Sequence, residues 1–378
     1  MKKIIIADFM EYDDPSNKLG NYHYAKLFAE NEYEVLWISC PWNWLMYFKN
    51  KEVYKKRKNL SKAIRHELNK NIYGFAPYSW RLYGNYVFCS NADIVFNFEK
   101  YIKPNIKQSL KKIGFDKVDI LWISNPKQYW ISNVIEYKKM VTRLPDDYSE
   151  MKSFPNSISK VEKKMLEKSD IVFAVSKNLV NKKKNIRKDI SYLANGVELG
   201  NFIRNKYDEP KEFKNNFNKK CTYVGAIGHW FSTDLIKYCA NKLKNMDFYI
   251  IGPVKKDLSI LKEYKNIHIL GKKNYKDVPN YLYYSDVALI PFEVNELTDS
   301  VSPIKLYEYM SLGLNVVSTN FKEIEDINSP AYVAKNYDEF CNYIRQAIEN
   351  KDKNREENIK FAKENTWGRR FEEIEKYL

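Results

Sequence analysis

Two groups of residues in this chain have the types and spacing to act on a charged small molecule. The first lies in residues 302–319, SPIKLYEYMSLGLNVVST. Ser302 is a good N-cap residue, and Pro303 fits the first helical position, where a missing N–H is harmless. Gly313 fits the residue just past the helix end, and 314–319 reads as a buried strand. Lys305 and Glu308 are three residues apart and share one helix face. A helix start with a lysine in its first turn is an anion site. A carboxylate one turn further on can accept two hydrogen bonds from a diol. Ser302, Pro303, Ile304 and Lys305 would then hold a diphosphate, with a ribose beside Glu308, which is one way to hold a nucleotide sugar. The plainer alternatives are a surface lysine paired with Glu308, and an acid serving the helix dipole.

The second group is the acid pair Asp146 and Asp147. It follows the apolar segment 134–144, at a strand end, where catalytic groups sit in parallel sheets. A turn begun at Pro145, or a helix cap by Asp147, would also explain the pair. Glycines add to both groups. Gly225 and Gly228 lie in TYVGAIGHW, with His229 and Trp230 beside them, and Gly252 is followed by Pro253 and Lys255. Such glycines permit close backbone approach to a phosphate, or else make tight turns. Asp13, Asp14, Asn17, Gly20 and His23 form the first loop and helix start, where His23 reads first as a packing residue. The five cysteines are widely spaced, without metal-ligand spacing or a disulfide framework. No metal site is expected.

These residues need a frame to hold them. Residues 3–9 read as a strand, 21–30 as a helix and 33–39 as a strand, an order that implies a parallel sheet. Residues 93–98, 119–124 and 134–144 add short apolar segments, some of them strands. A helix at 158–168 and a strand at 170–176 follow, then 190–193 and the turn signal Asn195-Gly196. Residues 200–220 read as a linker. A second series has strands at 221–226, 247–251, 267–270 and 287–291, then the 302–319 unit and helices at 335–350 and 355–378. At 378 residues the chain has room for two domains. The expected class is α/β, with two doubly wound sheets facing each other across a cleft.

Net charge is +15 at pH 7, which favours anionic partners or reflects a lysine-rich composition. Residues 41–83 mix Trp and Tyr with clustered Lys and Arg, a pattern suited to an anionic membrane surface or to a basic helix over an aromatic core. No apolar run reaches the roughly 18 residues of a membrane span. The N-terminus reads as a strand rather than a secretory signal. A reducing cytoplasm fits the cysteines. No helix-turn-helix, RNA-recognition or zinc pattern is present, so nucleic acid is not expected as a partner.

Four stretches of the second half, together with their order, resemble the donor-binding domain of GT-B glycosyltransferases of the family-4-like group. They are 222–230, the pair NIHILG (266–271) and VPNYL (278–282), SDVALIPF (285–292), and 302–319. DIVFAVS (170–176) and NGVE (195–198) resemble endings of a GT-B N-terminal domain. The resemblance implies a nucleobase contact at Gly271 and Lys272, and a donor sugar near His229. Retaining family-4 enzymes carry a glutamate eight positions before the helix glutamate. Counted from Glu308, that position is Ser300. This departure points to inverting relatives, the GumK-like xanthan glucuronosyltransferases and teichuronic-acid-type transferases, whose strand end VTRLPDDYS (141–149) resembles. By that resemblance Asp147 or Asp146 is the general base, with Asp147 slightly ahead.

The expected protein is thus a bacterial GT-B glycosyltransferase with two Rossmann-like domains. Residues 1–200 would bind the acceptor, joined by a helix at about 363–378 that packs back on them. Residues 201–362 would bind the donor. The enzyme would move a sugar from a UDP-linked nucleotide sugar to a lipid-linked saccharide in capsule, lipopolysaccharide or other envelope polysaccharide assembly. Donor contacts are expected at Gly225, Gly228, His229, Gly252, Lys272, Ser302, Pro303, Ile304, Lys305 and Glu308, and acceptor contacts at Asn17, Gly20 and His23. No cofactor or metal is implied. Residues 41–83 would hold the enzyme peripherally on the cytoplasmic face of the inner membrane. The alternatives are a retaining family-4-like transferase, a nucleotide-sugar epimerase or phosphorylase on the same fold, and a non-enzymatic basic binding protein.

Overall fold

The computed structural model describes residues 1–14, 19–151, 153–214 and 216–378, so Asn17 lies outside the described residues. The chain divides into two compact units. The first comprises 1–175, 179–193 and 375–378, and the second 176–178 and 194–374.

The first unit is built on apolar strands too hydrophobic to leave one face in water. Its strands are β1 (Lys2–Asp8), β2 (Tyr33–Ser39), β3 (His66–Asn69), β4 (Ile72–Phe75), β5 (Tyr78–Ser79), β6 (Ile102–Lys103), β7 (Lys117–Ile123), β8 (Glu136–Leu144), β9 (Ile171–Ala174) and β10 (Ile190–Tyr192). Eight of these form one sheet in the order β10-β9-β8-β7-β1-β2-β4-β3. All its pairings are parallel except β3 with β4. Ile4, Ile5, Ile6 and Ala7 of the central strand are fully buried, as a parallel strand covered on both faces requires. The helices are α1 (Gly20–Glu30), α2 (Met46–Lys49), α3 (Lys51–Leu60), α4 (Ala92–Phe96), α5 (Ile106–Ile113) and α6 (Ile158–Lys168), with α7 (Lys177–Lys183) after β9. Trp122 on β7 is buried among Tyr24, Phe28 and Phe173.

The second unit opens with α8 (Leu199–Phe202) and carries β11 (Lys219–Val224), β12 (Met246–Ile251), β13 (Ile267–Gly271), β14 (Val287–Ile290), β15 (Val316–Thr319) and β16 (Tyr332–Ala334). They form one parallel sheet in the order β13-β12-β11-β14-β15-β16. Its helices are α9 (Thr233–Lys242), α10 (Val278–Tyr283), α11 (Ile304–Ser311), α12 (Lys322–Asp326), α13 (Tyr337–Glu349), α14 (Arg355–Glu364) and α15 (Trp367–Glu375).

Both large sheets are doubly wound. The chain lays down β1, β2 and β4 on one side and returns to place β7 beside β1. In the second unit it lays down β11, β12 and β13, then places β14 beside β11. Each reversal leaves a crevice at the carboxyl ends of the two central strands, where such sheets bind ligands.

Three local details refine the expected elements. Of the apolar segments expected to include strands, 93–98 begins as helix, because Asn91 caps the first turn by accepting from the Asp93 N–H at 2.9 Å. The expected helix 355–378 is two helices. Val197 donates its N–H to Asn365 O at 3.1 Å and accepts from Trp367 N–H at 3.3 Å, a bridge that pulls the backbone out of helix at Thr366. The third concerns 302–303. Pro303 has ψ 100° and stands outside the helix, which begins at Ile304. Ser302 does not cap it, and its Oγ instead accepts the Asn195 N–H at 3.2 Å.

Candidate active site

In the second unit the crevice lies between β11 and β14, and α11 follows the loop after β14. Gly313, at φ 76°, supplies the left-handed residue that lets the chain leave α11 and enter β15. The start of α11 is fixed from the other side. Asn195 gives its backbone N–H to Ser302 Oγ and its side-chain Nδ2 to Ser302 O at 2.8 Å.

Lys305, in the first turn of α11, turns its ammonium toward the end of β11. It lies 5.6 Å from the ring centres of both Tyr223 and Phe292. A Cβ added at Gly225 would stand 2.1 Å from Lys305 Cε and 2.7 Å from Nζ, so the glycine makes room for the lysine. Gly225 also has φ 155°. Gly252 backs it, since a Cβ there would meet Gly225 O at 1.9 Å. The loop ends are laced together: Gly225 N–H to Ile251 O at 2.8 Å, Ile227 N–H to Pro253 O at 2.9 Å, and Gly252 N–H to Gly271 O at 2.8 Å. Burial pulls the Lys305 ammonium below its ordinary range, and the Glu308 charge only partly opposes this. Among the described residues Lys305 has no ion-pair partner. The surface-lysine alternative is therefore not what the structure contains.

Glu308 accepts a hydrogen bond from Tyr275 Oη at 2.9 Å. Burial raises its pKa, with Tyr275 and Lys305 opposing. Tyr275 follows the loop after β13 and was not among the sequence candidates. A contact across 33 residues leaves no local signal. Gly228 packs under Trp230, whose Nε1 donates to Ala226 O at 3.1 Å, and His229 is exposed beside it. Lys272 is exposed in the loop after Gly271, while Lys273 is drawn to Glu212 at 2.6 Å. The structure thus brings Gly225, Gly252, Lys305 and Glu308 to one crevice around α11. Ser302 and Pro303 lie before the helix and Ile304 opens it. Ser300 is buried, its Oγ accepting from Asn178 Nδ2 at 3.0 Å.

In the first unit the crevice lies between β1 and β7. Asp8 ends β1 and holds Asn21 of α1. Asn21 Oδ1 accepts from Trp122 Nε1 and from Ser124 Oγ, both at 3.0 Å. Tyr148 donates to Ser124 O at 2.7 Å. Arg143, near the end of β8, is buried, its guanidinium against Gly20, where an added Cβ would come within 3.0 Å. Arg143 lies 5.4 Å from the Tyr24 ring centre. Burial raises the Asp8 pKa, against hydrogen bonds and the Arg143 charge. His23 is buried in α1 with its ring edge-on to Tyr22 at 5.2 Å, in keeping with packing.

The two candidate bases separate here. Asp147 is buried and pinned: Lys182 and Lys183 each reach it at 3.1 Å, and Ser149 donates to it at 2.5 Å. Lys183 also pairs with buried Glu162 at 2.5 Å. Burial alone would raise the Asp147 pKa, but Lys183, Ser149 and Lys182 outweigh it and hold the carboxyl below its usual range. Among the described residues Asp146 has no such clamp. Burial pushes its pKa up to about 7, with the Arg143 charge opposing and the Asp147 charge adding. The two neighbouring carboxyls thus differ in setting: a carboxylate held by two lysines is a poor proton acceptor. Asp8, Arg143 and Tyr148 are further members of this cluster that sequence reasoning missed. The only signal for Asp8 and Arg143 was their place near the ends of central strands. Among the described residues no group of three or more His, Cys, Asp or Glu could hold a metal ion.

Residues 207–365 match the family model "Glycosyl transferases group 1". Over its length the chain is 21% identical to TuaH of Bacillus subtilis (strain 168), named as a teichuronic acid biosynthesis glycosyltransferase, covering 99% of this chain and 96% of that protein. The fold is similar to that of sucrose-phosphate synthase from Thermosynechococcus elongatus, with a TM-score of 0.73 at 11% identity, over 100% of this chain and 98% of that one. It is also similar to Anabaena HepE, solved in complex with UDP and glucose, with a TM-score of 0.67 at 12% identity, over 100% and 99% of the two chains. A glycosyltransferase from Rickettsia africae matches with a TM-score of 0.67 at 16% identity, over 100% and 97%. The α/β architecture is that of the GT-B glycosyltransferases.

Proposed function

We propose that this chain, a glycosyltransferase with a GT-B fold, moves a sugar from a UDP-linked donor to a lipid-linked envelope saccharide with inversion. The observation that carries the donor reading is Lys305: a half-buried ammonium with no ion-pair partner among the described residues and only the Glu308 charge nearby, against Gly225, in the first turn of α11. Such a cation in a sheet crevice suits a diphosphate. Glu308, turned to Tyr275, suits the ribose hydroxyls. In this reading Ile304 N–H and Lys305 neutralise the leaving UDP, and no divalent ion takes part. Gly228, His229 and Lys272 line the donor sugar and base.

The acceptor hydroxyl gives its proton to the Asp146 carboxylate as its oxygen attacks the donor anomeric carbon. The carbon–oxygen bond to the diphosphate breaks and UDP carries the electron pair away. Asp146 suits this role because its raised pKa matches a base working near neutrality. Gly20 and His23 would stand on the acceptor side. Residues 41–83 would dock on an anionic inner-membrane surface from the cytoplasm.

Titration calorimetry with UDP and a panel of UDP-sugars tests the donor site. Lys305→Ala is expected to weaken UDP binding by about 2–5 kcal/mol, the usual loss for a desolvated charge contact. UDP affinity unchanged in that variant removes the proposal. NMR of the product tests the stereochemistry: retention of the donor anomeric configuration overturns Asp146 as base and leaves the retaining alternative.

A further inference from the structure

We propose that the loop closed between Gly84 and Cys89 is a membrane-inserting wedge, and that the cavity beside it holds the phosphate headgroup of an anionic lipid. The inference extends the membrane reading of residues 41–83 and does not depend on the transfer chemistry.

The loop is compact: Gly84 N–H donates to Cys89 O at 2.9 Å and Cys89 N–H to Tyr86 O at 3.0 Å. It nevertheless presents its apolar side chains outward, with Tyr86 52%, Val87 79% and Phe88 85% exposed. Phe88 sits at φ 60°, a left-handed conformation that a bulky residue rarely adopts. Leaving three such side chains in water, on a loop that is otherwise well bonded, calls for an apolar partner. The wedge is continuous with a second exposed group. Lys49 Nζ donates to Tyr86 Oη at 2.7 Å and lies 5.2 Å from its ring centre. Lys49 ends α2, whose Phe48 is exposed and meets Trp44 and Tyr47 edge-on.

The cavity beside the loop has a volume of about 540 Å³ and is lined by Phe88, Arg81, Lys100, Asn91, Asn97 and Asp93 among others. Arg81 gives one guanidinium nitrogen to Phe88 O at 2.7 Å, tying cavity to wedge. Its Nε is buried with no hydrogen-bond partner among the described residues. Two cations against one acid, an unused N–H, and an apolar tip alongside match a lipid phosphate at the headgroup level with the tip below it. Lys49 at Tyr86, and Lys51 with its ammonium 5.3 Å from the Tyr47 ring centre, add positive charge beside these apolar groups. Charge complementarity commits the surface to an anionic bilayer.

Sedimentation with vesicles of phosphatidylcholine, alone or mixed with phosphatidylglycerol, tests this. Wild type is expected to bind the anionic vesicles more tightly, and less so as salt rises. Val87→Ser with Phe88→Asn keeps the left-handed position tolerable and is expected to weaken binding at least about tenfold, the worth of burying one large apolar side chain. Arg81→Gln with Lys100→Gln is expected to erase the preference for phosphatidylglycerol. UDP binding and melting temperature of each variant report an intact fold. If Trp44→Ser with Phe48→Ser abolishes binding while the loop variant binds like wild type, the wedge is overturned and the 41–83 reading survives. Failure of wild type to bind anionic vesicles overturns both. Saturable binding of soluble glycerol phosphate without vesicles overturns the lipid assignment.

Discussion

Adjacent aspartates in one sequence motif have opposite fates here, and the difference is measurable. Asp146→Asn is expected to reduce kcat by about 10²–10⁴-fold, the contribution of a general base, with UDP affinity intact. In wild type kcat/KM should climb with pH through about 7 as Asp146 loses its proton. The same shift has a stability cost. A carboxyl whose folded pKa is raised favours the fold when protonated, so its contribution is complete below about pH 4 and is lost as pH rises through 7. Asp147 runs the other way: held below its usual range, it stabilises above its unfolded pKa and loses that effect as acid protonates it. Asp147→Asn leaves Lys183 buried with one counter-charge fewer, and about 3–5 kcal/mol of stability should go with it. Urea melts of the two variants side by side check the assignment. Equal destabilisation would mean that the Asp147 clamp is not what it looks like.

At the scale of elements, the donor crevice depends on two loop glycines and on one short helix. Gly225 and Gly252 let the loops after β11 and β12 touch backbone to backbone under Lys305. Gly225→Ala would drive its Cβ into Lys305 Cε, so the lysine must move. UDP affinity is expected to fall at least about tenfold; the obstructing atoms belong to a flexible side chain, and the loss of stability is limited to the backbone strain of an alanine at φ 155°. Gly252→Ala meets a carbonyl oxygen at 1.9 Å instead, and should cost stability by about 2 kcal/mol or more. Calorimetry and thermal melts separate these two outcomes. The α11 start was misplaced by one residue from sequence, because Ser302 satisfies every rule for an N-cap yet is held by Asn195, 107 residues away.

For the whole molecule, residues 375–378 are part of the first unit although the helix leading to them belongs to the second. Tyr377 packs edge-on to Phe173 at 5.2 Å and accepts from Ser191 Oγ at 3.0 Å, and Lys139 Nζ reaches Tyr377 O at 2.8 Å. Removing 376–378 is expected to cost the first unit about 1–2 kcal/mol and leave UDP binding untouched, which melts with and without UDP would show. Among the described residues no helix is long and apolar enough to cross a membrane. Most of the frame was legible in the sequence. Alternating apolar strands and helices announce parallel sheets through periodicity alone, and the Lys305–Glu308 spacing announces one helix face. Those are local facts, carried by residues within a turn or a strand of one another. What needed tertiary structure were the long-range choices: Tyr275 on Glu308, Asn195 on Ser302, Thr366 drawn out of its helix by Val197. Above all, Asp146 and Asp147 are equivalent in sequence, and only the fold sets them apart, by bringing Lys182 and Lys183 to one and burial with the Arg143 charge nearby to the other.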